Sequence, residues 1–229
     1  MAVSDRAPVL TIDGPSGAGK GAVSARLAQR LGWNVLDSGA VYRAVALAAL
    51  DRGIDVDVDR EALVELARGL PLAFRAGSDG IEVELDGCLA GDRLRSEAVS
   101  VMASRVAVLP EVRAALLDLQ RGCRKPPGLI ADGRDMGTIV FPDAELKVFL
   151  QASVEERAKR RYKQLKSKGE NVILSRLFQD MQARDRRDRE RAVAPTVPAF
   201  DAVVVDSTRL PLDGVVQRII DLASCRFDI

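Results

Sequence analysis

The sequence predicts an α/β protein built on a doubly wound, five-stranded parallel sheet. Five short apolar runs have the length and composition of buried strands, at residues 9–12, 34–37, 128–132, 146–150 and 202–206. The stretches between these runs carry apolar residues at helical spacing. This alternation predicts helices on both faces of the sheet, with ligands at the edge where the strands end.

The composition fits one domain with insertions and excludes several classes of protein. The chain has 229 residues, a formal net charge of +1 and 47% hydrophobic residues. Its longest apolar stretch, Ala44–Leu50, is too short to span a bilayer, and no signal-peptide profile is present. Three scattered cysteines without C-x-x-C spacing argue against a disulfide framework. We therefore expect a cytoplasmic protein without a membrane partner.

The absence of histidine limits the classes of reaction that the chain could catalyse. With 0 histidines the chain has no Ser-His triad, no H-E-x-x-H zinc site and no imidazole base. Arginine, lysine, carboxylates and magnesium remain. Phosphoryl transfer is the reaction class best suited to those groups.

A glycine-rich loop follows the first strand. Gly14, Gly19 and Lys20 fit the spacing G-x-x-x-x-G-K, and a helical pattern begins near Lys20. Backbone N–H groups in such a loop surround an anion, and the helix N-terminus and lysine add positive charge. The loop therefore predicts binding of nucleotide phosphates.

The loop departs from the common pattern at one point. The residue after the lysine is usually Ser or Thr, whose hydroxyl reaches Mg²⁺, but Gly21 and Ala22 stand here. Magnesium must therefore rely on water, on nucleotide oxygens or on carboxylates elsewhere.

Three predicted strands end in aspartate, at Asp37, Asp132 and Asp206. The carboxyl ends of parallel strands face the ligand crevice, although any such Asp can equally be a helix cap or turn former. Asp132 follows an apolar run and so has the character of an acid near magnesium. Arg43 and Arg134 follow two of these strand ends.

Two segments interrupt the alternation of strands and helices. Residues 69–92 contain alternating runs, a Gly-Ser-Asp-Gly turn at 77–80 and an Asp-Gly pair at 86–87, which predict a small antiparallel meander. Helices are expected at 96–107 and 110–121, with Ser96 and Pro110 as start signals.

The second segment, 155–191, is strongly basic. Ser153-Val-Glu-Glu156 is a capping box that opens a helix, and a second helix is expected over about 173–190. Between Arg157 and Arg191 lie more than a third of the chain's 34 basic residues. Arg184, Asp188 and Arg191 are spaced to share one helix face, which predicts a mobile element that closes over the phosphates.

Four motifs resemble those of the bacterial cytidylate kinases, in that family's order and spacing over nearly the whole chain. They are Asp13-Gly-Pro-Ser-Gly-Ala-Gly-Lys-Gly21, Asp37-Ser-Gly-Ala-Val-Tyr-Arg43, Ala131-Asp-Gly-Arg-Asp-Met-Gly-Thr138 and Arg184-Asp-x-x-Asp-x-x-Arg-Ala-Val-Ala-Pro195. The resemblance implies the phosphate-loop kinase fold and transfer of the ATP γ-phosphoryl group to CMP or dCMP, with Mg²⁺ bound as MgATP.

The resemblance also implies roles for individual residues. It places ATP contacts at Gly14, Pro15, Ser16, Gly17, Ala18, Gly19, Lys20, Gly21 and Ala22. It assigns catalytic roles to Lys20, Arg134, Arg184 and Arg191. It assigns the acceptor phosphate to Arg43, Arg134 and Arg191, the ribose to Arg184 and Asp188, and cytosine to Ser104, Arg113 and Asp135, with Ser38 as a further substrate contact.

The expected organisation is a core of residues 1–68, 93–154 and 192–229. The 69–92 meander would be a nucleoside-monophosphate-binding insert that extends into helices to about 121, and 155–191 a helical lid. Two alternatives stay open: a kinase for another monophosphate such as UMP, and a nucleotide switch or nucleic-acid-binding ATPase. The missing Asn-Lys-x-Asp signature disfavours the switch, and low net charge with 4% aromatics disfavours nucleic acid. We expect a monomer.

Overall fold

The structure, a computed structural model, describes residues 6–77, 80–167 and 169–227. Its main sheet has five parallel strands, which are β1 (Val9–Asp13), β2 (Asn34–Asp37), β6 (Leu129–Gly133), β7 (Leu146–Gln151) and β8 (Val203–Asp206). Their order across the sheet is β2-β6-β1-β7-β8. All five predicted strands are confirmed to within one residue at each end, because buried parallel strands are short continuous apolar runs.

Eight α-helices surround the sheet within the described part of the chain. They are α1 (Lys20–Leu31), α2 (Ser38–Arg52), α3 (Arg60–Arg68), α4 (Glu97–Val106), α5 (Pro110–Gly122), α6 (Val154–Ser167), α7 (Leu174–Glu190) and α8 (Leu212–Ser224). Side chains of β1 alternate between two hydrophobic cores: Val9 packs with α2 to α5, and Leu10 packs with α1 and α8. The predicted layers of helix, sheet and helix are confirmed.

The 69–92 segment forms the predicted antiparallel meander, with β3 (Leu72–Gly77), β4 (Gly80–Leu85) and β5 (Cys88–Leu89). Asp86 and Gly87 connect β4 to β5 with φ values of 52° and 75°, the left-handed conformation that an Asp-Gly turn supplies. The turn predicted at 77–80 has its two central residues outside the described part of the chain. Ile81 of β4 packs in the hydrophobic core that contains α1.

The helix start signals also hold. Ser96 Oγ accepts a hydrogen bond from Val99 N at the start of α4, and Pro110 is the first residue of α5. Ser153 Oγ accepts from Glu156 N at the start of α6. Two short elements were not predicted: a 3₁₀ helix, Gly91–Arg95, and a π-helical turn, Met136–Val140, which begins three residues after the end of β6.

Candidate active site

The glycine loop joins the end of β1 to the start of α1, as the sequence predicts. Gly14 has φ 148°, and a Cβ there would lie 2.0 Å from the carbonyl oxygen of Leu150, so only glycine fits. Gly19, the residue before α1, is left-handed with φ 96°. The loop therefore directs its backbone N–H groups and the N-terminus of α1 towards one space, which suits an anion.

Lys20 and Asp132 form a buried pair at the base of this loop. The Lys20 ammonium lies 4.0 Å from Asp132 Oδ1 and donates a 3.1 Å hydrogen bond to the Pro15 carbonyl. Burial lowers the pKa of Lys20 and raises the pKa of Asp132, because each charge has lost its hydration. Arg134 lowers the Lys20 pKa further. An anion beside Lys20, or a cation beside Asp132, would relieve these costs.

The Asp132 carboxylate lies next to Gly21 at the start of α1. A Cβ added at Gly21 would lie 3.6 Å from Asp132 Oδ2, an ordinary van der Waals distance. Across the described residues, no three carboxylate, cysteine or histidine side chains group closely enough to hold a metal. A divalent cation here would therefore need oxygen ligands from water or nucleotide besides Asp132.

A second group of charged side chains lies at the carboxyl ends of β2 and β6. We call it the acceptor cluster; its members are Asp37, Arg43, Arg113, Arg134, Asp135, Arg184, Asp188 and Arg191. Arg134 Nε donates to Asp188 Oδ2 at 2.8 Å, and Arg184 Nε lies 4.0 Å from the same oxygen. The five arginines outnumber the three carboxylates by two, so the cluster as a whole has the charge to balance a phosphate dianion.

Arg191 is the residue that directly follows helix α7. Its N–H still donates to the Arg187 carbonyl at 3.1 Å and its φ is helical at −62°, so the helix still sets the direction in which its side chain leaves the backbone. Its ψ of 139° turns only the chain that follows. Burial lowers the pKa of Arg191, and the charges of Asp188 and Asp135 act on it, so Arg191 belongs to the acceptor cluster with Arg184 and Asp188.

Arg113 and Asp135 form the most deeply buried ion pair of the acceptor cluster. Arg113 of α5 donates to Asp135 Oδ2, and only 10% and 4% of the two side chains are exposed. The guanidinium also donates to the Ala107 carbonyl and lies 5.6 Å from the centre of the Tyr42 ring. Burial raises the pKa of Tyr42 to about 12. The pair presents a hydrogen-bond donor beside an acceptor in a largely dehydrated setting.

Arg43 shows an unused hydrogen-bond donor. Its Nη2 donates to Asp37 Oδ2 at 3.1 Å, and Asp37 also caps α2 by accepting from Ala40 N. Within the described residues the buried Arg43 Nε has no hydrogen-bond partner. Ser38, the first residue of α2, is buried next to this pair in the chain. An unpaired buried guanidinium N–H is costly, and an incoming acceptor oxygen would satisfy it.

Two other predicted residues lie outside these contacts. Ser104 is exposed on α4, and its hydroxyl donates to the Ser100 carbonyl at 3.1 Å. Asp206, at the end of β8, is exposed and accepts from Thr208 N at 2.8 Å. The Asp206 carboxylate therefore stabilises a turn, and Asp206 also lines a cavity at the carboxyl ends of β7 and β8.

Sequence reasoning missed the arginines that join the 155–191 segment to the phosphate loop. Arg157 is 2% exposed; it donates to the Ser16 carbonyl at 2.8 Å and binds the carboxylate of Asp185 in α7. Arg160 donates to the Ala18 carbonyl of the phosphate loop at 3.5 Å and to the Ser207 carbonyl at 2.6 Å. The basic composition of the segment marked the region, but no local signal distinguished these two arginines.

Helix α7 therefore contacts both halves of the site. Asp185 binds Arg157 at the phosphate loop, and Asp188, one turn later, binds Arg134 in the acceptor cluster. A cavity of about 290 Å³ lies between α7, Pro15 and the carboxyl ends of β7 and β8. Arg186 and Arg189 of the same helix are exposed, as the sequence predicts.

Comparisons with known proteins agree with the site. The cytidylate kinase family model matches residues 10–225. The cytidylate kinase of Methylococcus capsulatus is 56% identical over 215 residues, covering 94% of this chain and 96% of that protein. The Pseudomonas fluorescens cytidylate kinase is 54% identical over 222 residues and 96% of each chain.

A solved structure of an uncharacterized protein from Eubacterium ventriosum superposes with a TM-score of 0.53. It covers 96% of this chain and 99% of that one at 12% identity, a likeness that shows the fold alone. No helix in the described ranges has the length and apolar character needed to cross a membrane. From the family match, the near-complete relatives and the residues gathered around the phosphate loop, we conclude that the chain belongs to the cytidylate kinase family.

Proposed function

We propose that the protein transfers the γ-phosphoryl group of ATP to CMP or dCMP, giving ADP and CDP or dCDP. The observation that carries this proposal is the buried Arg113–Asp135 pair in a cluster of arginines beside the phosphate loop. Family membership supports it, because the relatives at 54–56% identity are named cytidylate kinases.

ATP is expected to place its phosphates in the loop from Gly14 to Ala22. Backbone N–H groups there, the N-terminus of α1 and the Lys20 ammonium would neutralise the β- and γ-phosphates. In the structure Lys20 donates to the Pro15 carbonyl, so nucleotide binding would exchange that bond for a phosphate oxygen. The exchange places a full positive charge on the group that is transferred.

The base of the acceptor is assigned to Asp135, Arg113 and Ser104. Cytosine carries an N4 amino donor beside the N3 and O2 acceptors. The Asp135 carboxylate can accept from N4, and the Arg113 guanidinium can donate to N3 or O2. Ser104 would have to turn its hydroxyl away from the Ser100 carbonyl to take part.

The ribose and phosphate of the acceptor are assigned to the remaining members of the acceptor cluster. Arg184 and Asp188 offer a donor and an acceptor to the sugar hydroxyls. Arg43, Arg134 and Arg191 supply the charge for the phosphate, and the buried Ser38, which follows Asp37 in the chain, is assigned as a further contact. The acceptor phosphate has a second pKa of about 6 and is mostly dianionic at neutral pH, so it needs no general base.

Magnesium is assigned to MgATP, with Asp132, whose Oδ1 lies 4.0 Å from the Lys20 ammonium, as the protein carboxylate beside it. The buried carboxylate of Asp132, whose pKa is raised by desolvation, fits a cation that would restore its lost solvation. The ion, when bound, would neutralise charge on the transferred phosphoryl group. Gly21 and Ala22 supply no hydroxyl, so the remaining ligands would be water and phosphate oxygens.

Residues 155–191 are proposed to act as a lid that excludes water from the transfer. Residues 69–92 are proposed as the acceptor-binding insert, which extends into helices to about residue 121. The contacts of Arg157 and Asp188 support the first assignment, since they join the segment to both substrate sites. The core is then 1–68, 93–154 and 192–229. We also propose a monomer without a nucleic-acid partner, since the formal net charge of +1 and the 4% aromatic residues disfavour nucleic acid. Three free cysteines in the described residues support a cytoplasmic location.

A coupled assay of ADP formation over several monophosphates tests the proposal. We expect CMP and dCMP to be the best acceptors, UMP weaker, and AMP and GMP poor. The Lys20→Ala variant should lose phosphoryl transfer while remaining folded. Equal rates with all acceptors, or ADP formation without any acceptor, would contradict the proposal.

A further inference from the structure

The buried carboxylate of Asp13 links the phosphate loop to the loop that carries Asp135. Asp13 is the last residue of β1 and precedes Gly14 of the phosphate loop. Its Oδ1 accepts a hydrogen bond from Met136 N and its Oδ2 accepts from Gly137 N, each at 2.8 Å. Asp13 is 4% exposed, so both bonds are protected from water. The π-helical turn Met136–Val140 begins at these two N–H groups.

The residue in the N-cap position of that turn is Asp135. An Asp at an N-cap ordinarily turns its own carboxylate back to accept from the first N–H groups of the helix. Here the Asp135 side chain makes no such bond and instead binds Arg113. The N–H groups that Asp135 would cap are occupied by Asp13, which caps the turn from a neighbouring strand.

The turn is also held against β1 by packing. A Cβ at Gly137 would lie 2.9 Å from Thr11 Oγ1 and 3.1 Å from Lys147 Cδ, so the backbone sits close to the sheet. This contact places Gly137 N within reach of Asp13 and fixes the direction in which the loop leaves β6. The two hydrogen bonds and the close packing of Gly137 together fix the position of the loop that carries Arg134 and Asp135.

We propose that Asp13 is a positioning residue for acceptor recognition: it satisfies the N–H groups of the turn after Asp135 and thereby leaves the Asp135 carboxylate free for Arg113 and the acceptor base. The inference rests on the proposed function, because it assigns Asp13 to the cytosine side of the reaction rather than to ATP. Asp13 itself touches neither substrate in this account.

The Asp13→Asn variant tests this directly. The amide keeps the volume but accepts with only one oxygen, and its NH₂ group faces one of the backbone N–H groups. The freed N–H then competes for the Asp135 carboxylate. We expect the KM for CMP to rise about tenfold, the KM for ATP to change less than about twofold, and the preference for CMP over UMP to fall. Calorimetric CMP binding without ATP should weaken by the same factor.

A double-mutant cycle separates positioning from general destabilisation. If Asp13 acts through Asp135, then Asp13→Asn should change CMP affinity less than about twofold when Asp135→Asn is already present. Asp59→Asn is the matched control: the Asp59 carboxylate also accepts a loop N–H, from Asp55, far from the site, and its substitution should leave both KM values unchanged.

Two results of these experiments would overturn the inference. The first is an equal change in the KM values for CMP and ATP, and the second is the same loss of CMP affinity on Asp13→Asn in the wild-type chain and in the Asp135→Asn variant. If Asp13→Asn fails to fold, Asp13→Glu serves as the test, because it keeps the charge but displaces the carboxylate oxygens. A KM for CMP equal to that of the wild-type chain in Asp13→Glu would overturn the inference. A wild-type chain that forms no CDP would instead refute the proposed function.

Discussion

The Asp135→Ala substitution probes acceptor recognition and stability together, because Asp135 is the buried counter-charge of Arg113. Removing one partner of a buried pair costs about 3–5 kcal/mol of stability. Arg113 keeps its bond to the Ala107 carbonyl and its place beside the Tyr42 ring, so we expect the lower end of that range. The KM for CMP should rise roughly ten- to a hundredfold, the consequence of about 1–3 kcal/mol for an unpaired buried group.

The assay combines urea unfolding with steady-state kinetics in which ATP and CMP are varied separately. The KM for ATP should stay within about twofold, since the phosphate loop does not contact Asp135. A double variant, Arg113→Met with Asp135→Leu, provides the control: replacing both charges by apolar groups of similar size should restore most of the stability. CMP affinity should remain poor in that variant. If its CMP affinity recovered along with its stability, the assignment of Asp135 to base recognition would be wrong.

Three further predictions follow from the site. In steady-state assays Arg191→Ala should lower kcat at least about tenfold and Arg186→Ala less than about twofold, because only Arg191 belongs to the acceptor cluster. Similar losses in both variants would mean that residues 155–191 act only as a general basic surface. Gly21→Ser should retain ATP binding by calorimetry, since its Cβ meets Asp132 at 3.6 Å, and destroyed ATP binding would contradict this. Burial raises the pKa of Asp13 to about 6. Between the ordinary pKa of an Asp carboxyl and about pH 6, the folded chain therefore keeps a proton that the unfolded chain has lost. The free energy of unfolding of the wild-type chain, measured with urea, should therefore fall by roughly 1 kcal/mol between about pH 5 and 7 relative to that of Asp13→Asn. The same pH dependence in both proteins would contradict the raised pKa of Asp13.

The sheet and the phosphate loop could be predicted from sequence because their signals are local. A buried parallel strand is a short apolar run, and a loop such as 14–20 carries its glycines at fixed spacing. The two-helix pattern of residues 155–191 was also local, since Ser153 caps the first helix and Gly169, with φ 79°, lies between the two helices. These elements required no knowledge of distant contacts.

The parts that were missed depend on residues far apart in the chain. Arg157 and Ser16 are 141 positions apart, and Asp13 and Met136 are 123 apart. Nothing in the local pattern around Asp13 indicates that its carboxylate caps a turn after another strand. Arg191 could be predicted by helical spacing because its N–H still closes the last turn of α7.

The central claim, direct transfer from ATP to the monophosphate, is tested most directly by following the transferred group itself. MgATP labelled at the γ-phosphorus is incubated with CMP and the purified chain, and the products are separated. The account predicts that the label appears in the β-phosphate of CDP with an equal amount of ADP, and that Lys20→Ala abolishes both products. Label released as free phosphate at the same rate with or without CMP would contradict it.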